Sequence, residues 1–418
     1  MGNYSMQAKD HLLTDSAMDT SYDYIITGGG CAGLSLAYYL NRSSQRGQRI
    51  LILDAEAKNQ NDKTWCFWTD QDLPFACAQH TAWQEMEILT PGHNLTQSID
   101  PFRYVFVNSL SFYQEVKAEL EQNPQIEFRY EKVDSVEDLP EGSVVYTSQG
   151  SYYARYTFNS IIFPLQREPE QYFYLSQHFG GWFVETQKPV FDPNRIRLMD
   201  FRIEQNDEVR FVYILPFSET EALVEYTVFS ENTWHTDAYD QALRQYLTEE
   251  LGVNHYTITH RERGSIPMTN HPFARQKGKH VVNLGTAAGL TKATTGYTFL
   301  SIQRHAQQLV QALEKSGEPV VKPRKRARFA FYDELLLYLI RNQGWRIRDI
   351  FARLFRQNDF RTILRFLAED TRLHEELPIL IRLPWGPFFR AIWDYKILGK
   401  TAPQPHVALQ PKTHPIQS

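Results

Sequence analysis

The sequence predicts an α/β fold: a Rossmann-like dinucleotide-binding domain interrupted by an antiparallel β-sheet domain and followed by a helical C-terminal region. Three observations predict it. "YDYIITGGGCAGLSLAYYL" (Tyr22 to Leu40) runs strand, glycine turn, helix, the opening of a nucleotide-binding βαβ unit. "HVVNLGTAAGLTKATTGYTFLSIQRHAQQLVQAL" (His280 to Leu313) repeats that order near the other end. Between them lie strand-like runs separated by turn residues, so the nucleotide domain is discontinuous.

The elements follow in order. Residues 1–21 lack the apolar centre of a secretory signal and read as a flexible leader. Tyr22 to Thr27 reads as a buried strand, Gly28 to Gly33 as a turn, Leu34 to Asn41 as a helix and Arg49 to Glu56 as the second strand. Phe106 to Gln122 has apolar positions at helical spacing, and Ile126 to Val133 alternates like a strand. From Tyr172 to His260 the runs "GWFVET", "RIRLMDFR", "VRFVYILPF" and "EALVEYTVF" predict an antiparallel sheet. The expected division is a nucleotide domain of 22–170 and 261–320, a sheet domain of 171–260, a helical region of 321–400 and a flexible tail of 401–418.

Composition narrows the function classes. A net charge of -5 argues against a nucleic-acid partner. Three cysteines without CxxC or Cys/His spacing give neither a disulfide framework nor a metal site. No apolar run reaches the roughly 18 residues that span a bilayer. Between Lys322 and Arg365, however, twelve Lys/Arg face four Asp/Glu. Ile347, Ile350, Phe351, Leu354 and Phe355 form one apolar helical stripe there. That pattern fits either a helix lying on a membrane surface or a solvated basic face on a helical cap. Aromatic content of 14% fits a Phe-rich core or an apolar tunnel.

Gly28, Gly30 and Gly33 make the GxGxxG spacing: a tight turn, close approach of a pyrophosphate to the backbone, and close helix–strand packing. Asp54, at the end of the second strand, is placed to bind ribose hydroxyls, and Glu56 lies past the strand end. In the second loop, Gly285, Ala287, Ala288, Gly289, Thr295 and Gly296 are small residues suited to close approach. A glycine loop and helix N-terminus there can stabilise an electron-rich flavin through backbone N–H groups. The expectation is a two-domain flavoprotein: a Rossmann-like FAD domain, an inserted antiparallel β-sheet substrate domain and a C-terminal helical region. Thr286 stands where a flavin hydroxylase has Asp, and "ARYTFNSIIF" lacks its mid-chain Asp-Gly, so the oxygen-activating form is poorly matched.

"NDKTWCFW" (Asn61 to Trp68), "QHFGGWFVET", "LMDFR", "FVYILPFSETEALVEYTVFS", "GSIPMT" and "GTAAGLTKATTGY" stand in an order and spacing that resembles the lycopene β-cyclases, from Tyr22 to Trp393. The resemblance implies a redox-neutral flavoprotein isomerase that binds FAD, needs it reduced, with NAD(P)H as indirect electron donor, and converts lycopene through γ-carotene to β-carotene. It implies other ψ-ended carotenoids as related substrates, a peripheral place on the cytoplasmic side of the membrane, and other carotenoid-pathway enzymes as neighbours. The family's acidic motif falls on "LVEYT", which puts its catalytic acid on Glu225; Tyr226 replaces a residue usually acidic, and Ala293 replaces a proline.

The residues agree with that chemistry. Cyclising a ψ-end needs a proton at the terminal C1=C2 bond, capture of the tertiary cation by C6, and loss of a ring proton. A carboxylic acid facing an apolar tunnel keeps a raised pKa, and Glu225 lies in an apolar strand-like run. Trp65, Phe67, Trp68 and Tyr226 are candidate substrate-lining residues that could offer a cation their aromatic faces. Two other readings stay open: a flavin-dependent reductase or epoxidase acting on a polyprenyl or carotenoid, and a non-catalytic carotenoid carrier.

Overall fold

The computed structural model describes residues 21–75, 79–321 and 327–398. The expected leader (apart from Ser21), the tail at 401–418 and residues 322–326 of the basic run lie outside them.

Strand β1 (Ser21–Thr27) leads through the glycine turn into helix α1 (Cys31–Asn41) and then β2 (Ile50–Asp54). The helix starts three residues earlier than expected, because Leu34 N–H already bonds to Gly30 O at 3.0 Å. Every α1 residue but Tyr39 is buried, as suits a helix held between a sheet and other helices. The chain then forms β3 (Thr64–Thr69), β4 (Gln79–Trp83), β5 (Glu85–Thr90), β6 (His93–Ser98) and β7 (Arg103–Asn108) before helix α2 (Ser109–Leu120). Phe106 to Asn108, expected as helix, finish β7; the break falls at Asn108, whose side chain caps α2 by accepting from Ser111 N–H at 3.2 Å.

Next come β8 (Ile126–Tyr130), β9 (Val133–Leu139), β10 (Gly142–Thr147) and β11 (Gly150–Asn159). The long strands β12 (Tyr174–Thr186), β13 (Arg195–Asp200), β14 (Val209–Pro216) and β15 (Glu221–Ser230) precede helix α3 (Thr236–Glu249) and β16 (Tyr256–Thr269). The short β17 (Gln276–Lys277) and β18 (Val281–Asn283) return the chain to the first sheet before helix α4 (Phe299–Ser316). Its five-strand centre, β18-β11-β1-β2-β8, is parallel, the Rossmann-like arrangement expected.

The second sheet runs β16-β12-β15-β14-β13-β5-β6. It therefore differs from a single insertion at 171–260. The β5–β6 hairpin joins from far upstream by parallel pairing of β5 with β13, and β16 crosses the expected boundary to end at Thr269. A third small sheet, β3-β7-β4, sits between the two.

Strand alternation divides the second sheet into two faces. Val212, Ile214, Val224, Tyr226 and Val228 point back against Leu243, Tyr246 and Leu247 of α3. Phe211, Tyr213, Leu215, Leu223 and Phe229 point forward. There they meet a helical cap: α5 (Ala327–Gln357), α6 (Phe360–Leu367), α7 (Leu373–Arg382), α8 (Trp385–Ala391) and a π-helical turn (Ile392–Ile397). Helix α5 kinks at Gln343, next to Gly344, where an added Cβ would come within 2.5 Å of Asp207 O. The stripe from Ile347 to Phe355 is buried in this core. Its periodicity is as read, yet it covers the sheet and leaves no part of itself for a membrane.

Candidate functional site

The first glycine loop divides its labour. Gly28 has φ +94°, and a Cβ there would collide with Ser160 Oγ; a Cβ on Gly33 would sit 2.0 Å from Gly28 O. Both are demanded by packing. A Cβ on Gly30, by contrast, would meet nothing within 4 Å, and Gly30 fronts a cavity of about 550 Å³ together with Cys31 and Ala32. No side chain caps α1 and no acid occupies its first turn, which leaves its amide donors and positive dipole end for an anion such as a pyrophosphate.

Asp54 stands at the end of β2, as a ribose partner should, but it braces the loop and does not itself front the cavity. Its Oδ2 accepts from Gly29 N–H at 2.7 Å and its Oδ1 from Glu56 N–H at 2.8 Å; each oxygen keeps a second lone pair. Lys58, 3.9 Å from Asp54, does reach the cavity wall.

Of the second loop, Gly285, Thr295 and Gly296 front the same cavity. Ala287 and Gly289, expected beside a cofactor, do not: Ala287 is buried in the turn, and Gly289 adopts φ +65° to end it, packed on Phe273. Helix α4 begins without a side-chain cap or an acid in its first turn, and Thr298 and Phe299 at its start line the cavity. Gln177 Oε1 and Thr295 Oγ1 are buried there without a hydrogen-bond partner. Two uncapped helix starts, an open Gly30 and orphaned polar atoms fit a pyrophosphate joined to a ring with a polar edge.

A row of side chains crosses the forward face of the second sheet where it meets this cavity. In register, Glu262 on β16 lies beside Gly181 on β12, Gly181 beside Glu225 on β15, and Glu225 beside Tyr213 on β14. Gly181 keeps the space between the carboxylates open; a Cβ there would lie 3.0 Å from Glu262 Cγ. Glu225 Oε1 accepts from Thr227 Oγ1 at 2.7 Å, and Glu262 Oε2 from Thr64 Oγ1 at 2.6 Å. Glu262 Oε1 is buried without a donor, the position a proton shared with Glu225 would satisfy.

Burial, then the neighbouring Glu262 charge, pushes the Glu225 carboxyl up to about 8. Burial likewise raises Glu262, against the Thr64 hydroxyl. Two acids this close cannot both ionise cheaply, so the pair retains a proton near neutrality and titrates as a unit.

Tyr213 donates to Tyr104 OH, which lies 3.1 Å from Tyr297 OH. Burial holds all three phenols well above their ordinary range, so they remain neutral dipoles. Around them the wall is apolar. Trp68 donates its Nε1 hydrogen to Leu364 O at 3.1 Å and packs edge-on to Tyr297 with ring centres 4.4 Å apart. Trp65 reaches the wall from among Phe112, Tyr113 and Phe299.

Two expected lining residues lie elsewhere: Phe67 shares the face of β3 that carries Trp65 but is buried behind it, and Tyr226, next to Glu225 on β15, faces the opposite way by strand alternation. Phe67 stacks on Phe299 at 4.7 Å inside the first domain. Tyr226 is on the back of the second sheet against Trp234, with ring centres 5.6 Å apart.

Glu262, the tyrosine cluster and Gln177 were not legible as site residues. "HRERG" looks like an exposed charged run. Its period-two alternation does hold a signal: Arg261 and Arg263 turn back to Asp240 of α3, at 2.9 and 3.5 Å, while Glu262 turns forward.

Fold and site together define a flavoprotein-type α/β protein in which a cleft fronted by a glycine turn and two uncapped helix starts opens onto a half-buried acid pair. Solved structures with this fold include a geranylgeranyl bacteriochlorophyll reductase-like protein from Thermoplasma acidophilum, 12% identical, with TM-score 0.57, covering 90% of this chain and 99% of that one. A flavin-dependent brominase is 12% identical with TM-score 0.58, covering 91% and 100%. A halogenase in complex with phloroglucinol and FAD is 13% identical with TM-score 0.55, covering 83% and 82%. The fold is thus that of FAD-dependent flavoenzymes.

The family model described as "Lycopene cyclase protein" matches residues 23–392, and the chain belongs to the lycopene cyclase family. Among curated relatives, a lycopene beta-cyclase of Paracoccus sp. is 26% identical over 292 residues, 66% of this chain and 70% of that one. One of Pantoea ananas is 26% identical over 294 residues, 67% and 72%.

Proposed function

We propose that this protein is a lycopene β-cyclase that closes the ψ-ends of lycopene to β-ionone rings by acid catalysis, without net oxidation or reduction. The carrying observation is the Glu225–Glu262 pair, set side by side across Gly181 on the wall of the cleft, where desolvation raises both carboxyls.

In this reading Glu225 gives its proton to C2 of the terminal double bond, leaving a tertiary cation at C1. C6 of the same chain attacks C1, and the ring cation at C5 loses the C6 proton to form the new double bond. The carboxylate left by the first step, held by Thr227 and beside Glu262, is the group placed to take the ring proton back, so the pair returns to its starting state. Trp65 and Trp68 exclude water and present aromatic faces to the cation.

The α1 and α4 N-termini, Gly30, Gly285, Thr295 and Gly296 would hold FAD, with Asp54 bracing the loop near the ribose. Bound in its reduced form, FAD would supply negative charge beside the cation. NAD(P)H is the indirect source of that reduction, and the enzyme works at the cytoplasmic surface of a membrane, where its apolar substrate resides.

The test is anaerobic incubation with lycopene, FAD and a limiting reductant. Many β-rings per reducing equivalent are expected, and Glu225→Gln should lose at least about a hundredfold in turnover. Product that rises one for one with reductant would favour a reductase, and a Gln variant of full activity would remove Glu225 from the mechanism.

A further inference from the structure

We propose that the outer face of Leu373–Ile397, with an arginine-lined pocket beside it, docks this protein onto an anionic phospholipid bilayer. The inference rests on the membrane-surface part of the reading above and names the surface that carries it.

From Leu373 every fourth residue is large and apolar, through Ile381, Trp385, Phe389 and Trp393 to Ile397, and each is between 43% and 65% exposed. The opposite side of the same helices is anchored by buried Ile379, Ala391 and Tyr395. A regular helix would rotate such a ladder around its axis. Here the chain breaks at Leu383, with ψ 155°, and ends in a π-helical turn, so successive rungs are re-aimed. Three of the eight tryptophans, Trp345, Trp385 and Trp393, are exposed, all of them in this cap. Tryptophan favours the membrane–water interface. Among the described residues no helix is long and apolar enough to cross a membrane, which leaves interfacial insertion.

The pocket supplies the charge. A cavity of about 450 Å³ is lined by Arg348, Arg353 and Arg356 of α5, by His93 of the β5–β6 hairpin, by Pro384, the residue before Trp385, and by one carboxylate, Asp349. Arg353 Nε is buried without a partner. Arg356 donates to His93 Nε2 at 3.1 Å. Among the described residues neither guanidinium has a carboxylate in ion-pair range, and Arg348 has only its neighbour Asp349 at 3.3 Å. Arg382 ties α7 to the end of α5 through Gln357 O at 2.7 Å and Asn358 Oδ1 at 2.8 Å, which holds stripe and pocket together. Forked guanidinium donors converging on one space suit a phosphate. A second copy of the chain would instead oppose one basic pocket to another.

Flotation of the full-length chain with phosphatidylcholine vesicles, with and without phosphatidylglycerol, tests this. Binding should be at least about tenfold tighter with the anionic lipid and lose that margin at high salt. Phe389→Glu with Trp393→Glu should abolish binding to both vesicles. Arg353→Ser with Arg356→Ser should erase only the anionic preference. All variants should cyclise detergent-dispersed lycopene normally, which separates failure of docking from failure of the proposed activity. Wild-type affinity in the stripe variant, an intact lipid preference in the arginine variant, or a wild-type dimer broken by the stripe variant with no vesicle binding would each overturn the proposal.

Discussion

Glu225 and Glu262 concentrate the cost and the use of the site. A carboxyl whose folded pKa is raised binds its proton more tightly in the native state, so stability falls as pH rises from the ordinary carboxylate range, about 4.3, through the raised value. Glu225→Gln removes that penalty. Its melting temperature should exceed that of the parent at pH 8 and match it near pH 4, measured by thermal unfolding. Turnover should fall on the alkaline side through about pH 8, where the pair loses its proton. Because the Glu262 charge is one cause of the shift, Glu262→Gln should move that alkaline limb to lower pH; an unmoved limb would separate the two acids. Glu225 was legible because it stands in a recognisable motif within an apolar strand. Glu262 was not, since nothing in "HRERG" tells which strand it pairs with, and the pairing alone brings the acids together.

Helix periodicity carries one fact and omits another. The stripe from Ile347 to Phe355 reads as one apolar face, yet it does not say what that face meets. The structure answers with the second sheet: Phe351 lies on Phe201, the residue after β13, with ring centres 6.2 Å apart, and Phe201 is wholly buried. Phe201→Ala should cost about 3–5 kcal/mol in denaturant unfolding and loosen the cap above the cavity. The exposed ladder proposed above as a membrane-docking face begins beyond that stripe, in α7, and ends in the π-helical turn. Strands of the second sheet were read correctly where they are consecutive. The β5–β6 hairpin was missed because its partner β13 is about a hundred residues away, and such pairing leaves no local trace.

At the scale of the whole molecule, the helical cap is tied to the second glycine loop. Lys292, in the loop between Gly289 and Gly296, bonds to Asp333 of α5 at 2.6 Å and to Glu369 at 2.8 Å, and Thr294 donates to Asp333 at 2.8 Å. Removing the cation of such a half-buried cluster leaves two carboxylates facing one another. Lys292→Ala should cost about 1.5–3 kcal/mol and weaken flavin retention, read as the flavin content of the purified variant. The same loop carries Gly296 against Gln177 of the second sheet, so sheet, loop and cap close on one space. The central claim, that this space holds a proton-transfer site and not a redox site, is tested most directly by the mass of the product made in D2O with reduced FAD and no oxygen. Acid catalysis through an exchangeable carboxyl predicts one deuterium in place of hydrogen for each ring formed and no other change in composition. A product that gains two hydrogens per end, or rings formed with no solvent deuterium, would contradict it.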